Sequence, residues 1–393
     1  MKKNYKTYEE ELGSLKKINF IQDKNILIFK KKKFSYYYDN LIKGIIDYGK
    51  PKKTIYIYYS SSSNYLEISK KIEEIIFKEN INIFICASYY FLIPSILKKI
   101  QNNVYRIRID GDDAWHFYKY SKWYAQFFDL NITNSITTKK YFKKIGYNSI
   151  IYASPFKISY KKNKDKIKRY SVSFVGLLKN KLNRVNYINL IRKNGIKIDV
   201  FGADSPSGFV SQNTVFDIYQ NSIINLNFTG ISFDDNLQTA SHRKTTMTGR
   251  IFEIIGSGGF LISEYDESIK YFFEPDKDLI VFKNKSDLIK KIKYYLANPD
   301  KRKKIAMNGH KKFLRFYEYN KYMPNFVYQI SHQREYKTII DNFSWPNDLR
   351  QFLIRFVNNK YIFYPNYFFY SMMLTKKTFL FHKLINYLKK IKN

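Results

Sequence analysis

The sequence predicts an α/β protein of two doubly wound, Rossmann-like domains facing each other across a cleft, followed by a basic, aromatic C-terminal extension. Three observations carry that expectation. From Asn25, short apolar strand patterns alternate with longer helical patterns, which gives βαβ units and a parallel sheet. At Lys157–Tyr170, KISYKKNKDKIKRY, a strongly basic stretch without apolar period interrupts the alternation. At Ser171 the alternation starts again and runs to Tyr317. Residues 1–24 are then an N-terminal extension, 25–156 the first domain, 157–170 a linker, 171–320 the second domain and 321–393 the C-terminal extension.

In the first domain the strand candidates are Ile26–Phe29, Thr54–Tyr59, Asn82–Ala87, Val104–Ile109, Leu130–Thr133 and Ser149–Tyr152. Between them lie helical patterns at Tyr36–Tyr48, Tyr65–Lys78, Phe91–Ile100, Trp115–Phe127 and Thr138–Ile145. Right-handed crossovers wind such units into one doubly wound sheet. The second domain reads Ser171–Val175 strand, Asn183–Lys193 helix, Ile198–Phe201 strand, Phe216–Asn221 helix and Ile223–Asn227 strand. It continues with Arg250–Ile255 helix, Phe260–Ile262 strand and Leu279–Phe282 strand, and the helices Lys285–Ala297 and Asp300–Tyr317 close it. Asp287 and Asp300 sit near the starts of those helices, where acids suit the helix dipole. Two such sheets in series place their strand ends on either side of one cleft, where ligands of open α/β sheets bind.

With 393 residues, 45% hydrophobic and 19% aromatic, the chain is long enough for two sizeable cores and is not a disordered polyampholyte. Lys and Arg number 69 against 33 Asp and Glu, a net charge of +36. That excess suits an anionic partner: phosphorylated ligands, a lipid surface or nucleic acid. Cys86, within the apolar run at 83–87, is the single cysteine, so an intrachain disulfide is excluded and a reducing compartment is expected. The charged N-terminus shows no signal-peptide pattern, and no run of about 18 apolar residues predicts a membrane span. A cytoplasmic protein is expected. From residue 349 onward no acid occurs while Phe, Tyr and Lys/Arg interleave. This composition fits peripheral contact with an anionic membrane face, ordinary packing on the domains, or stacking on nucleic acid.

The most informative stretch is Lys244–Pro275, KTTMTGRIFEIIGSGGFLISEYDESIKYFFEP. It reads as helix, small-residue turn and buried strand, with one acid, Glu253, inside the apolar helix. A carboxylate there can hold two neighbouring hydroxyls of a ribose, as an acid does in dinucleotide folds; the alternative is a solvated glutamate on an amphipathic helix.

Five stretches in order make the sequence resemble the group-1, CgeB-type (spore maturation protein-like) glycosyltransferases of the GT-B fold. They are DGDDAWHFYKYSKWYAQFFDLNITNSITTKKYFKKIGYNSIIY, SVSFVGLLKNKLNRVNYINLIRKNGIKIDVFG, IYQNSIINLNFTG, GRIFEIIGSGGFLISEYDESIKYFF and LIKKIKYYLANPDKRKKIAMNGHKKFLRFY, within roughly Val104–Tyr317. The resemblance implies transfer of a sugar from a nucleotide sugar to a glycan, lipid-linked or protein acceptor, in surface polysaccharide or glycoconjugate synthesis. In that family an acid pair with seven residues between its members lies in the donor domain, and the second acid holds the ribose. Glu253 matches the second acid; Thr245 stands where the first belongs. Gly176, Gly202 and the turn Gly256, Ser257, Gly258 and Gly259 would let backbone N–H groups approach the donor. Arg250, one helical turn before Glu253, is the first choice for the cation that balances the leaving diphosphate, with Arg243 and Lys244 behind it. Asn227 marks a cleft edge or satisfies a turn, and the turn is the preferred reading.

On the acceptor side Asp110, Asp112 and Asp113 cluster at a strand end. For an inverting transfer Asp112 or Asp113 is the candidate base, with His116 as a possible assistant; the alternative for the acids is a helix cap. The pair Asp110 and Asp112 also permits a divalent-metal reading, set below the metal-free one because GT-B enzymes use helix dipoles and cations instead. No metal and no cofactor are expected, the nucleotide sugar being a substrate. Three rivals remain: a sugar-nucleotide epimerase or hydrolase on the same scaffold, a non-catalytic nucleotide-sugar-binding protein, and a nucleic-acid-binding protein.

Overall fold

The computed structural model describes residues 6–32, 36–59, 65–87, 92, 94–117, 121–157, 168–179, 181–205, 207–230 and 245–335. Arg243, Lys244, most of the basic linker and the tail 349–393, with the membrane contact expected of it, lie outside these residues. Among them no helix is long and apolar enough to cross a membrane.

The first apolar runs become strands because each is short, β-branched or aromatic, and bounded by turns. After helix α1 (Tyr8–Gly13), the first domain runs β1 (Asn25–Lys31), α2 (Tyr36–Gly49), β2 (Lys53–Tyr59), α3 (Tyr65–Lys78), β3 (Ile83–Cys86) and α4 (Pro94–Lys99). It continues through β4 (Tyr105–Asp110), α5 (Asp113–His116), α6 (Lys122–Tyr124), β5 (Leu130–Thr133), α7 (Ile136–Lys144) and β6 (Ser149–Ile151). The sheet is parallel in the order β2-β1-β3-β4-β5-β6.

The second domain runs β7 (Tyr170–Val175), α8 (Leu182–Lys193), β8 (Ile198–Phe201), α9 (Gln212–Asn221), β9 (Ser222–Asn227), α10 (Arg250–Gly256) and β10 (Leu261–Glu264). Then follow α11 (Ile269–Phe272), β11 (Ile280–Phe282), α12 (Lys285–Ala297), α13 (Pro299–Phe316) and α14 (Tyr319–His332). Its sheet is also parallel, in the order β11-β10-β9-β7-β8. Strand order therefore reverses between β7 and β9, the switch point where open α/β sheets bind ligands.

The helix expected at Trp115–Phe127 is seen as α5, α6 and a final tight turn at Ala125–Phe127, with residues 118–120 outside the described set. Phe117 packs on Phe142, whereas Tyr124 and Phe127 pack in a separate core with residues of α3 and α4. Helix α14 lies at the start of the C-terminal extension, which was expected to be helical. It returns to the first domain and packs on α2, where Met323 lies so close to Gly44 that an added Cβ would meet its side chain at 2.4 Å. Tyr322 accepts a hydrogen bond from the Ala153 N–H at 2.8 Å. The N-terminal helix adds a second tie. Tyr8 is buried among Tyr271, Phe272, Tyr317 and Tyr322, and Glu11 joins Tyr271 to Lys139 of α7. One core, running through Phe156, Phe216 and Phe313, joins the two lobes.

Local capping fixes the helix that later matters for the site. Ser211 precedes α9 in an extended conformation and accepts from the Thr214 N–H at 3.3 Å. Ser211→Ala is expected to cost about 1 kcal/mol, read as a lower denaturant midpoint at unchanged slope.

Candidate active site

Arg250 and Glu253 open α10, one turn apart. Glu253 is 4% exposed, so it points into protein and not to bulk water. Its Oε1 accepts from Gln212 Nε2 at 2.9 Å and its Oε2 from the Tyr219 hydroxyl at 3.4 Å. A third donor is the hydroxyl of Tyr37, on α2 of the opposite domain. Burial raises the carboxyl above its usual 4.5, while Arg250 and the three donors pull it back.

Arg250 reaches the switch point. Its Nη1 donates to Asn227 Oδ1 at 2.8 Å, at the end of β9, and its guanidinium lies 5.1 Å from the Phe174 ring centroid. Asn227, fully buried, is positioned by Thr248 and Ser263, so it orients Arg250 and is more than a turn residue. Gly176 follows β7, and a Cβ there would stand 2.6 Å from Arg250 Nη2. At Gly202, with φ +139°, a Cβ would stand 2.5 Å from the Gly176 carbonyl oxygen. Gly176 therefore clears the space into which the guanidinium projects, and Gly202 lets the two strand-end turns come together.

Three further polar groups face the same region and were not singled out from sequence. Arg184 of α8 donates to the Leu177 carbonyl at 2.8 Å, and its buried Nε has no hydrogen-bond partner among the described residues. Burial, then Arg250, push Arg184 down to about 9, so it stays charged at neutral pH. Lys181 is pushed down to about 8 by burial and then by Arg184, with Asp112 of the other lobe opposing. Glu264, at the end of β10, accepts from Tyr187 at 3.0 Å and from the N–H groups of Thr229 and Gly230 at 3.0 and 2.9 Å. A cation cluster at 181–184 was visible in principle; its convergence on residue 250 depends on the strand order and was not.

The Gly256–Gly259 turn lies elsewhere. A turn from a helix end into a parallel strand falls at the edge where strands begin, opposite the cleft. Ser257 Oγ donates to the Glu253 carbonyl at 2.6 Å and Gly258, with φ +76°, ends the helix in the left-handed region. Gly256 and Gly259 pack tightly against Phe156 and Asn225. These four residues close α10 and lie away from the end of the helix that holds Arg250 and Glu253.

In the first domain the acids divide by burial. Asp113 is fully buried and pairs with Arg108 through both oxygens, at 2.8 and 2.9 Å. Burial drives its carboxyl up to about 7 against the pull of Arg108. Asp110 accepts from the Asp112 N–H at 2.8 Å and lies 3.5 Å from Arg108. Asp112 precedes α5 but makes no side-chain capping bond, and its side chain is exposed. Its carboxyl is raised by partial removal of water and by Asp113, and lowered by Lys181 across the gap. His116 ends α5; its side chain is outside the described set. Thr245 donates to Asp266 Oδ2 at 2.6 Å and lines a cavity of about 520 Å³ with Glu264, Lys270 and Lys283, beside the strand ends of β10 and β11. That cavity contains neither Arg250 nor Glu253.

Two parallel sheets of this order, joined by a crossing C-terminal helix, make the GT-B fold of glycosyltransferases, and solved structures share it at low identity. Anabaena HepE in complex with UDP-glucose aligns over 79% of this chain and 99% of its own, at 10% identity and TM-score 0.56. Sucrose-phosphate synthase from Thermosynechococcus elongatus aligns over 79% and 98%, at 8% identity and TM-score 0.55. A glycosyltransferase from Rickettsia africae aligns over 82% and 100%, at 13% identity and TM-score 0.50. No curated protein sequence matches the chain. A family model described as glycosyl transferase-like matches residues 184–327, which include Arg184, Arg250 and Glu253. Fold and family match together define a glycosyltransferase of the GT-B type.

Proposed function

We propose that the protein transfers a sugar from a UDP-type nucleotide sugar to a glycan, lipid-linked or protein acceptor, and that it stands near the CgeB-type enzymes. The observation that carries this is the placement of Glu253 and Arg250: a buried carboxylate and a guanidinium, one helical turn apart, at the switch point of the second sheet. In this reading Glu253 takes the two ribose hydroxyls. Arg250, with Arg184 and Lys181, balances the diphosphate as it leaves, so no resident metal is required. Asp112, exposed on the opposite lobe, takes the proton of the acceptor hydroxyl in an inverting transfer. Asp113 holds its place through Arg108 and supports the loop. UDP-glucose is bound by the Anabaena protein of the same fold, which makes UDP-sugars the first donors to try.

The test is a panel of nucleotide sugars assayed by thermal unfolding. A donor at a hundredfold its dissociation constant adds about 2.7 kcal/mol, a shift of several degrees. UDP-sugars should stabilise the parent clearly more than Glu253→Ala. Equal shifts in both proteins would remove the donor site from this helix. Product analysis separates transfer from epimerisation or simple binding.

A further inference from the structure

We infer that Tyr37 is a cross-cleft competitor of the donor's ribose: its hydroxyl donates to Glu253 from the opposite lobe and gives way to the ribose when donor binds. The inference rests on the reading of Glu253 as the ribose acid.

An ionised carboxylate offers about four acceptor positions. Gln212, Tyr219 and Tyr37 fill three of them. A vicinal diol needs two, so one present donor must leave. Gln212 and Tyr219 both sit on α9, in the same domain as Glu253, and Tyr219 is buried. Tyr37 comes from α2 in the other lobe, so widening the cleft removes it and leaves the α9 pair in place. Gly249 supplies an independent observation. Its backbone, φ −58° and ψ −25°, is one any residue adopts, so conformation gives no reason for glycine. Space does. A Cβ on Gly249 would lie 2.2 Å from Tyr37 Cε1 and 2.5 Å from its Cζ. The Tyr37 ring rests against the bare peptide immediately before Arg250. The acceptor domain thus places a phenol directly over the start of the donor helix. Without it, the buried carboxylate would have one fewer donor in a dry setting. With it, donor affinity depends on a residue of the domain that does not bind the donor.

The experiment compares UDP binding by calorimetry in the full-length parent, Tyr37→Phe, Gly249→Ala and the double variant. Phenylalanine keeps the ring and removes only the competing hydroxyl. UDP should bind Tyr37→Phe about 5- to 10-fold more tightly, the net size of one ordinary intramolecular hydrogen bond. Gly249→Ala, which expels the ring from the other side, should move affinity in the same direction. The double variant should gain no more than the larger single effect. Unchanged or weaker binding in Tyr37→Phe overturns the inference, weaker binding meaning that Tyr37 touches the bound nucleotide. If the parent binds UDP and Glu253→Ala abolishes it while Tyr37→Phe is neutral, the donor site stands and the competition falls. If the parent's binding ignores Glu253→Ala, both fall.

Discussion

Glu253→Ala is expected to weaken UDP-sugar binding by roughly 10- to 150-fold, the loss of about 1.5–3 kcal/mol of hydrogen bonding to a charged acceptor. The expectation follows from the dryness of the site. A carboxylate on an exposed helix exchanges water for hydroxyls at little net gain, but Glu253 is buried and held by donors on two elements. The same burial predicts a pH signature. It raises the Glu253 carboxyl above 4.5, so the fold holds that proton more tightly than the unfolded chain. The stability from this group is complete below pH 4.5 and is lost as pH rises through the raised value. Donor binding needs the ionised form and runs the opposite way, increasing with pH through the same interval. Glu253→Gln should flatten that dependence as well as weaken binding. Calorimetric titration from below the usual 4.5 upward through the raised value checks both. A pH profile identical in Glu253→Gln and the parent would show that another group carries the ribose.

How far this site was legible in the sequence depends on the range of the interactions. Strand Leu130–Thr133 and helix Lys285–Ala297 were readable to the residue because alternation and a helical apolar stripe are local properties. Glu253 was readable for a related reason: a lone acid within an apolar helix contradicts its own surroundings. The turn at Gly256–Gly259 was readable as a turn but not as to its edge of the sheet, because small residues serve a helix end and a phosphate equally well. Parallel topology settles that question, since helix-to-strand turns fall away from the strand ends. Asp113 carried no sign of being an ion-pair partner until β4 placed Arg108 against it. Tyr37 lay beyond reach altogether. It sits in a run of three tyrosines, and its role arises from the packing of one lobe on the other.

Arg250→Ala should lower kcat by about 10²–10³-fold with a smaller effect on donor affinity, because charge on the diphosphate grows as the glycosidic bond breaks. Arg250 suits this better than its neighbours for geometric reasons. One nitrogen is fixed by Asn227, the plane lies on Phe174, and Gly176 leaves the other nitrogen room to meet a ligand. A group held in advance stabilises a developing charge without reorganising at the moment of reaction. Lysine cannot use this seat: an ammonium has no plane to stack and no fork to share between Asn227 and a phosphate, so Arg250→Lys should recover little of the rate. Arg184 differs. One of its nitrogens is committed to the Leu177 carbonyl, and burial beside Arg250 has already weakened its hold on the proton. Arg184→Ala should therefore cost less in kcat than Arg250→Ala. Single-turnover rates with saturating donor separate the two, and a larger loss at Arg184 would move the charge-balancing role from α10 to α8.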